Sequence, residues 1–207
     1  MTGLRERKKL QTRTAISKAA IALFLRSGFD RVSVVEVAEA AEVSKRTLFK
    51  YFPTKEDLVL HRFADHETET ARVVLDRAAG ETPLAALHRF FLDRLAERDP
   101  AYGLCDDPEV LAFYRMVSTT DSLTARLMQY GTRGDAALTD ALRAANAAQT
   151  TAYLAARQIN RTFLVLVELN WRQLAEGRRA DDLYPEAVAN ANHAFDLLRG
   201  GLGDHFG

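Results

Sequence analysis

The stretch SVVEVAEAAEVSKRTLFKYF, residues 33–52, predicts two short helices joined by a tight turn. Ser33 and Glu36 form the capping-box pattern that opens a helix, and Ser44 is a preferred residue type for capping a second one. Pro53 ends the second helix because proline has no N–H to donate and restricts the residue before it. This spacing is typical of a helix-turn-helix unit, in which the second helix enters the DNA major groove by its N-terminal residues.

The second helix carries the side chains that recognition of a DNA groove requires. Its polar side presents Lys45, Arg46 and Lys50, while Leu48 is expected to point inward. Arginine and lysine donate to guanine edges, and flanking basic groups or helix N-termini hold phosphates. The predicted DNA-binding residues are Ser33, Ser44, Lys45, Arg46, Thr47, Phe49, Lys50, Tyr51 and Lys55.

A basic segment near the N-terminus adds predicted contacts with the DNA backbone or minor groove. Plainer interpretations stand beside these predictions: Tyr51 packs on the first helix, Lys55 is a solvated residue, and the basic segment is a solvated tail. We favour a phosphate contact for Lys55, because a cation in the first turn of a helix is otherwise unfavourable. The residues of the basic segment are Arg5, Arg7, Lys8, Lys9 and Arg13.

Helical periodicity runs through the rest of the chain, and no alternating strand pattern stands out. We therefore predict an all-α protein of about nine helices. A capping box at Thr54 starts a fourth helix of about 25 residues, and proline signals start others at Thr82 and Asp107. Later helices are predicted at about 121–146 with an interruption near Gly131 and Gly134, at about 149–176, and from Tyr184 to Gly200.

The composition is that of an ordinary globular protein, with 47% hydrophobic and 27% charged residues. The net charge is zero, but residues 1–62 hold 13 Lys and Arg against 7 Asp and Glu, a net charge of +6. This asymmetry suggests a basic module attached to an acidic one. The single cysteine, the charged N-terminal sequence and the lack of an apolar run of about 20 residues predict a cytoplasmic protein without a membrane partner.

The N-terminal quarter of the chain resembles the DNA-binding domain of the TetR family of bacterial transcriptional regulators. Glu42 departs from the family pattern, which usually has glycine in this turn, so we expect either a changed turn or a left-handed Glu42 at some energetic cost. Arg46 stands where the family often has a small residue, which makes it a candidate specificity determinant. The resemblance covers residues 8–62 and is carried by Thr12, Arg13, Ile16, Ala20, Leu23, Phe24, Gly28, Phe29, Ser33, Val34, Val37, Ala38, Ala41, Val43, Ser44, Thr47, Leu48, Phe49, Tyr51, Phe52, Lys55, Glu56 and Leu58.

The resemblance implies a DNA-binding domain, residues 1–53, followed by an effector-binding and dimerisation domain, residues 54–207. It also implies a homodimer that binds palindromic operator DNA, represses transcription and is released by a small-molecule effector. The chain is also similar to mycofactocin-associated regulators of actinobacteria, which implies an acyl-type effector; its aromatic residues suggest an apolar or amphipathic one. The predicted ligand-binding residues are Phe90, Phe91, Phe113, Tyr114, Met116, Met128, Phe163 and Trp171. The predicted dimer-interface residues are Phe163, Val167, Leu174, Phe195 and Leu198.

Three other functions remain open at this point. An activator, or a DNA-binding regulator without an effector, would use the same fold. An enzyme with a DNA-binding head is less favoured, because no catalytic grouping or phosphate-binding loop is identifiable. His61 and His66 are five residues apart, which does not place two metal ligands on one helix face. We predict no catalytic site, no metal and no cofactor.

Overall fold

The computed structural model describes residues 3–201, without the side chains of residues 4, 5, 62, 64 and 65. Across this range it contains ten α-helices, one short 3-10 helix at Pro100–Tyr102 and no strand, which confirms the all-α prediction. The α-helices are α1 (Leu4–Ser27), α2 (Val34–Ala40), α3 (Lys45–Tyr51), α4 (Asp57–His66), α5 (Glu69–Leu75), α6 (Pro83–Ala96), α7 (Pro108–Thr119), α8 (Asp121–Ala144), α9 (Gln149–Ala175) and α10 (Ala180–Gly200).

Start signals read from the sequence are observed at several of these helices, among them α2, α4 and α6. Ser33 and Glu36 close a capping box at α2. Thr54 and Asp57 close another at α4, with N···O distances of 3.1 and 3.2 Å. The side chain of Thr82 caps α6. Short-range hydrogen bonds therefore fix where these helices begin.

Two of the predicted helix boundaries are corrected by the structure. The predicted fourth helix is divided into α4 and α5 at residues 67–68, and α8 runs unbroken past Gly131 and Gly134. At Gly134, α8 lies close to the break between α4 and α5, since a Cβ there would lie 2.8 Å from the carbonyl oxygen of Glu67. Arg133, the neighbouring residue, pairs with the Glu67 carboxylate. The glycine therefore serves this close approach and does not break the helix.

The last helix begins four residues earlier than predicted, at Ala180. The N–H of Ala180 donates to the Asp106 carboxylate at 2.9 Å, which satisfies one of the free donors of a helix N-terminus. Arg98 reaches the same turn and pairs with Asp181 at 2.9 Å. These long-range contacts support the first turn ahead of Pro185, so proline does not mark the start of the helix.

The chain forms two compact units. The first consists of Met1–Ala64 with Ala112–Met128, and the second of Asp65–Leu111 with Gln129–Gly207. Five side chains of the first unit keep at most 1% of their surface exposed: Ile16, Phe24, Leu48, Phe52 and Leu58. The division into functional domains at residue 53 stays a prediction, because it concerns what each part binds.

The core of the second unit is rich in aromatic rings. Phe91 lies 4.9 Å from Phe163 and 6.5 Å from Phe195 between ring centroids, and Phe163 lies 5.8 Å from Phe195. These rings join α6, α9 and α10. Tyr102 packs edge-on against Phe91 at 5.6 Å. Such tilted and edge-to-face contacts are the favoured geometry for aromatic pairs.

Helix α9 is apolar on two sides. Its inner side contributes buried residues such as Ile159 and Leu166 to the core. On the outer side Leu154, Leu164 and Leu169 keep 52%, 48% and 41% of their surface exposed. Within residues 3–201, no helix is both long enough and apolar enough to cross a membrane.

Candidate nucleic-acid interface

The turn between α2 and α3 has the conformation that usually requires glycine. Glu42 adopts a left-handed backbone with φ of 53°. The N–H of Glu42 donates to Glu39 O at 3.0 Å, and the N–H of Val43 donates to Ala38 O at 2.9 Å. This is the Schellman pattern of a helix end. Of the two expectations for Glu42, the strained left-handed one is confirmed, at a cost of about 1 kcal/mol.

Both helices of this unit begin at a serine that caps its own N-terminus. Ser33 Oγ accepts from the Glu36 N–H at 3.2 Å, and Glu36 Oε2 accepts from the Ser33 N–H at 2.7 Å. This backbone hydrogen bond, the serine hydroxyl and the charge of Lys55 lower the pKa of Glu36 below its ordinary value. Ser44 Oγ accepts from the Thr47 N–H at 3.0 Å. Each serine is thus a cap in the structure, and its contact with a phosphate stays a prediction.

The outer face of α3 displays the predicted base-reading side chains. Lys45, Arg46, Phe49 and Lys50 are exposed, and Leu48 is fully buried in the core of the first unit. Leu48 packs α3 against this core, and Lys45 and Arg46 extend from the first turn of the helix into solvent. Two further predicted contacts, Thr47 and Tyr51, are half-buried.

Lys55 lies within the first unit and is half-buried. Its Nζ donates to Phe29 O at 2.6 Å. The ammonium also lies 4.4 Å from the Phe29 ring centroid and 5.5 Å from that of Phe24. These contacts give Lys55 a role in holding the end of α1. Because an ammonium has three donors, they leave its predicted phosphate contact open.

The predicted basic segment is the first part of α1. Arg7, Lys8 and Lys9 are exposed on this helix. Arg13 is half-buried and its guanidinium lies 5.8 Å from the Phe52 ring centroid, which places it against the core. The side chain of Arg5 lies outside the described part of the chain. Because these residues belong to helix α1, they can contact only a DNA surface that α1 itself can reach.

Buried polar contacts hold α4 behind the recognition helix. Ser17 Oγ, on α1, donates to Leu58 O at 2.9 Å and lies 3.1 Å from His61 Nδ1. Ser17 and His61 are 2% and 8% exposed. Since α4 follows α3 after five residues, these contacts fix the support on which α3 rests.

The partner of Asp57 is the contact that the sequence analysis missed. Asp57 is only 5% exposed, and the guanidinium of Arg126 on α8 donates to both of its oxygens, at 3.0 Å from Nε and 3.3 Å from Nη2. The capping-box pattern identified Asp57 only as the N3 partner of the N-cap residue Thr54. The apolar residues that follow it were the one signal of burial, and a buried carboxylate requires a partner. Nothing local indicated which arginine would supply it.

The predicted ligand-binding residues are divided between the two units. Phe90, Phe91, Phe163 and Trp171 belong to the second unit, and Phe91 and Phe163 are packed in its aromatic core. Tyr102 lies among them and donates to Glu69 Oε2 at 2.9 Å. Burial, followed by the charge of Glu69, raises the pKa of Tyr102 well above its ordinary value, so it stays a donor. The remaining four, Phe113, Tyr114, Met116 and Met128, belong to the first unit.

The predicted dimer residues lie deeper than expected. Phe195 is fully buried and Leu174 and Phe163 are nearly so, all within a single chain. Within the chain, α10 packs on both α6 and α9. These three side chains are therefore packed in the core of their own chain. Val167 and Leu198 are half-buried, and the dimer itself stays a prediction.

The structure brings no metal-binding cluster together: across residues 3–201, no three His, Cys, Asp or Glu side chains are grouped as an ion would require. His61 packs in the core of the first unit, with its ring centroid 5.5 Å from that of Phe52. His66 Nδ1 lies 2.7 Å from Glu69 Oε2 in a pair at the start of α5. Both histidines therefore have structural surroundings.

Comparisons with known proteins point to one family. A sequence profile described as "Bacterial regulatory proteins, tetR family" matches residues 16–61. The HTH-type transcriptional regulator TcmR of Streptomyces glaucescens is 34% identical over 128 residues, which are 61% of this chain and 57% of TcmR. The HTH-type transcriptional repressor KstR of Mycolicibacterium smegmatis is 35% identical over 139 residues, which are 61% of this chain and 65% of KstR. A candidate mycofactocin biosynthesis regulator, MftR of Mycobacterium tuberculosis, is 40% identical over 60 residues, 29% of this chain and 30% of MftR.

The matched region thus spans less than two thirds of each of these relatives. A solved structure extends the likeness in fold to most of the chain. The SmeT–triclosan complex has a TM-score of 0.59 to this structure, at 17% identity, over 92% of this chain and 90% of SmeT. The similarity therefore includes both the helix-turn-helix region and the helices that follow it.

Proposed function

Because the chain belongs to the TetR family of bacterial regulatory proteins, we propose that it is a transcriptional repressor that binds palindromic operator DNA as a homodimer and is released by a small effector. One observation carries the proposal. The exposed first turn of α3 presents Lys45 and Arg46 to solvent, with Lys50 one turn later, on a helix whose Leu48 is fully buried. Two such helices, related by a twofold axis, fit two successive major grooves, about 34–36 Å apart. Access to the chromosome places this activity in the cytoplasm.

In this proposal Arg46 reads a base edge, and the lysines hold phosphates. An exposed arginine on the first turn of a recognition helix reaches the O6 and N7 acceptors of guanine. Lys50 and the exposed lysines of α1, Lys8 and Lys9, act as point charges toward the backbone. The two assignments differ in what they do to sequence preference, which makes them separable by experiment.

The outer side of α9 supports the dimer. Leu154, Leu164, Val165 and Leu169 are large apolar side chains that keep 40–52% of their surface exposed. Exposed apolar patches of this kind mark association surfaces on soluble proteins. We assign the dimer contact to this side of α9. Phe163, Leu174 and Phe195, which the sequence also suggested for it, are buried within a single chain.

The second unit supports an effector with an apolar body and a hydrogen-bond acceptor. Its core presents aromatic rings at α6 and α9, including Phe91 and Phe163. Asn170, on α9, is 2% exposed, and its Nδ2 has no hydrogen-bond partner among the described residues. A buried amide donor without a partner is costly, and a carbonyl or carboxylate oxygen of a ligand would satisfy it. An acyl-type molecule has both features.

A regulator without an effector is the second candidate, and one observation favours it. Phe91 and Phe195 are fully buried in mutual contact, as in an ordinary packed core. In that case the aromatic residues serve stability alone. Titration of decanoyl-coenzyme A into a complex of the chain with its DNA separates the two, since only the first candidate releases the DNA.

The proposed function is tested by DNA selected from a random library with the full chain. Its affinity is measured by fluorescence anisotropy between 50 and 200 mM salt, about the range over which several phosphate contacts cost orders of magnitude. Lys50→Ala is expected to weaken binding to all sequences and to reduce the salt slope by about one. The exposed Arg199→Ala, on α10, is the matched control and is expected to change neither. Failure to select any DNA sequence contradicts the proposed function.

A further inference from the structure

Among the described residues, three donors are directed at the buried carboxylate of Asp57. Its Oδ2 accepts from the Thr54 N–H at 3.1 Å, which closes the cap of α4. The guanidinium of Arg126 donates to Oδ1 at 3.0 Å and to Oδ2 at 3.3 Å. The Asp57 side chain is 7% exposed and that of Arg126 27%. A two-pronged arginine–carboxylate contact fixes orientation as well as distance.

Arg126 comes from a distant part of the chain but belongs to the same compact unit. It stands on α8, one turn after Leu123, which is fully buried. Residues three apart lie on the same face of a helix, so this face of α8 packs into the first unit. The early part of α8 is therefore part of the core that carries the recognition helix.

The connection from this pair to the recognition helix is short. Helix α3 ends at Tyr51 and α4 begins at Asp57. Between them, Phe52 keeps only 1% of its surface exposed. Thr54 and Asp57 form both hydrogen bonds of the capping box: each backbone N–H donates to the side-chain oxygen of the other residue. A displacement of Asp57 thus reaches the end of α3 through five residues that are themselves held in place.

We propose that Arg126 is a positioning residue for DNA binding: through Asp57 it sets the orientation of the recognition helix without touching DNA. α8 continues as one helix from Asp121 to Ala144, and its later residues belong to the second unit, in which the effector site is proposed. The pair is therefore a contact of the first unit that is made by this same helix. This inference rests on the proposed function.

The test compares Arg126→Met with Arg133→Met in the full chain. Both variants remove an arginine from α8 that pairs two-pronged with a carboxylate, Asp57 in one case and Glu67 in the other. Arg126→Met is expected to weaken DNA binding about tenfold or more, within the usual range of coupling between sites. Arg133→Met is expected to change it less than about threefold. The salt slope is the second measurement, and Arg126→Met is expected to leave it unchanged, because no phosphate contact is lost.

The possible outcomes are distinct. A salt slope lower by about one makes Arg126 a DNA contact and overturns the proposal. An affinity within twofold of the parent chain overturns it as well. Circular dichroism checks folding, and if Arg126→Met does not fold, Asp57→Asn takes its place, since it keeps an oxygen for the Thr54 N–H and removes the charge that Arg126 holds. If the parent chain binds no DNA, the proposed function has failed, whereas binding by the parent with unchanged variants refutes only this inference.

Discussion

Replacing Leu164 by aspartate locates the dimer interface. Leu164 keeps 48% of its surface exposed on α9. Covering that half of the side chain is worth about half of the 1.5–3 kcal/mol of a fully buried leucine, so roughly 1 kcal/mol for each protomer. An aspartate there also moves two carboxylates out of water in a symmetric dimer, which costs at least as much again. A total of roughly 3–4 kcal/mol raises the dimer dissociation constant a hundredfold or more.

Sedimentation velocity over a concentration series measures this dissociation constant. Leu75→Asp is the matched control, because Leu75 is a leucine of the same unit that is 58% exposed, on α5. We expect Leu164→Asp to dissociate at concentrations at which the parent chain and Leu75→Asp remain dimers. A dimer of unchanged stability in Leu164→Asp, or dissociation of Leu75→Asp, refutes the assignment of the outer side of α9 as the interface.

Two further predictions concern the helix-turn-helix unit. Arg46→Ala is expected to cost about 1–3 kcal/mol of binding and to relax preference at one position in each half-site, which selection of binding sequences with the variant measures. An equal loss across all base substitutions would instead assign Arg46 to the backbone. Glu42→Gly is expected to raise the free energy of unfolding by up to about 1 kcal/mol in urea, because it removes the left-handed strain at φ of 53°. A lower stability would show that the entropy which glycine adds to the unfolded chain outweighs that strain.

The local structure of the first unit could be read from the sequence because short-range chemistry determines it. Ser33, Ser44 and Thr54 cap the helices that follow them, and their partners lie three residues away. The amphipathic pattern also gave the inward direction of Leu48. Even the strain at Glu42 could be anticipated from the kind of residue that such a turn prefers.

What the sequence could not provide were the contacts between distant segments. Asp57 and Arg126 are 69 residues apart, and neither position shows its partner. The same holds for Phe195, whose amphipathic pattern shows that one side of α10 is buried but not against which helix. An apolar stripe has the same appearance whether it covers the core of its own chain or that of a second copy. The apolar residues on the outer side of α9 could be distinguished only once the structure showed which residues of α9 are buried in the chain's own core.

The hydrogen bonds of Ser17 determine the tautomer of His61. A serine hydroxyl has a single proton, and Ser17 gives it to Leu58 O, which can only accept. The Oγ of Ser17 must then accept from His61, so the proton of the neutral imidazole resides on Nδ1. This buried contact therefore ties α1 to α4 through a hydrogen bond of fixed direction, from the imidazole ring to the hydroxyl.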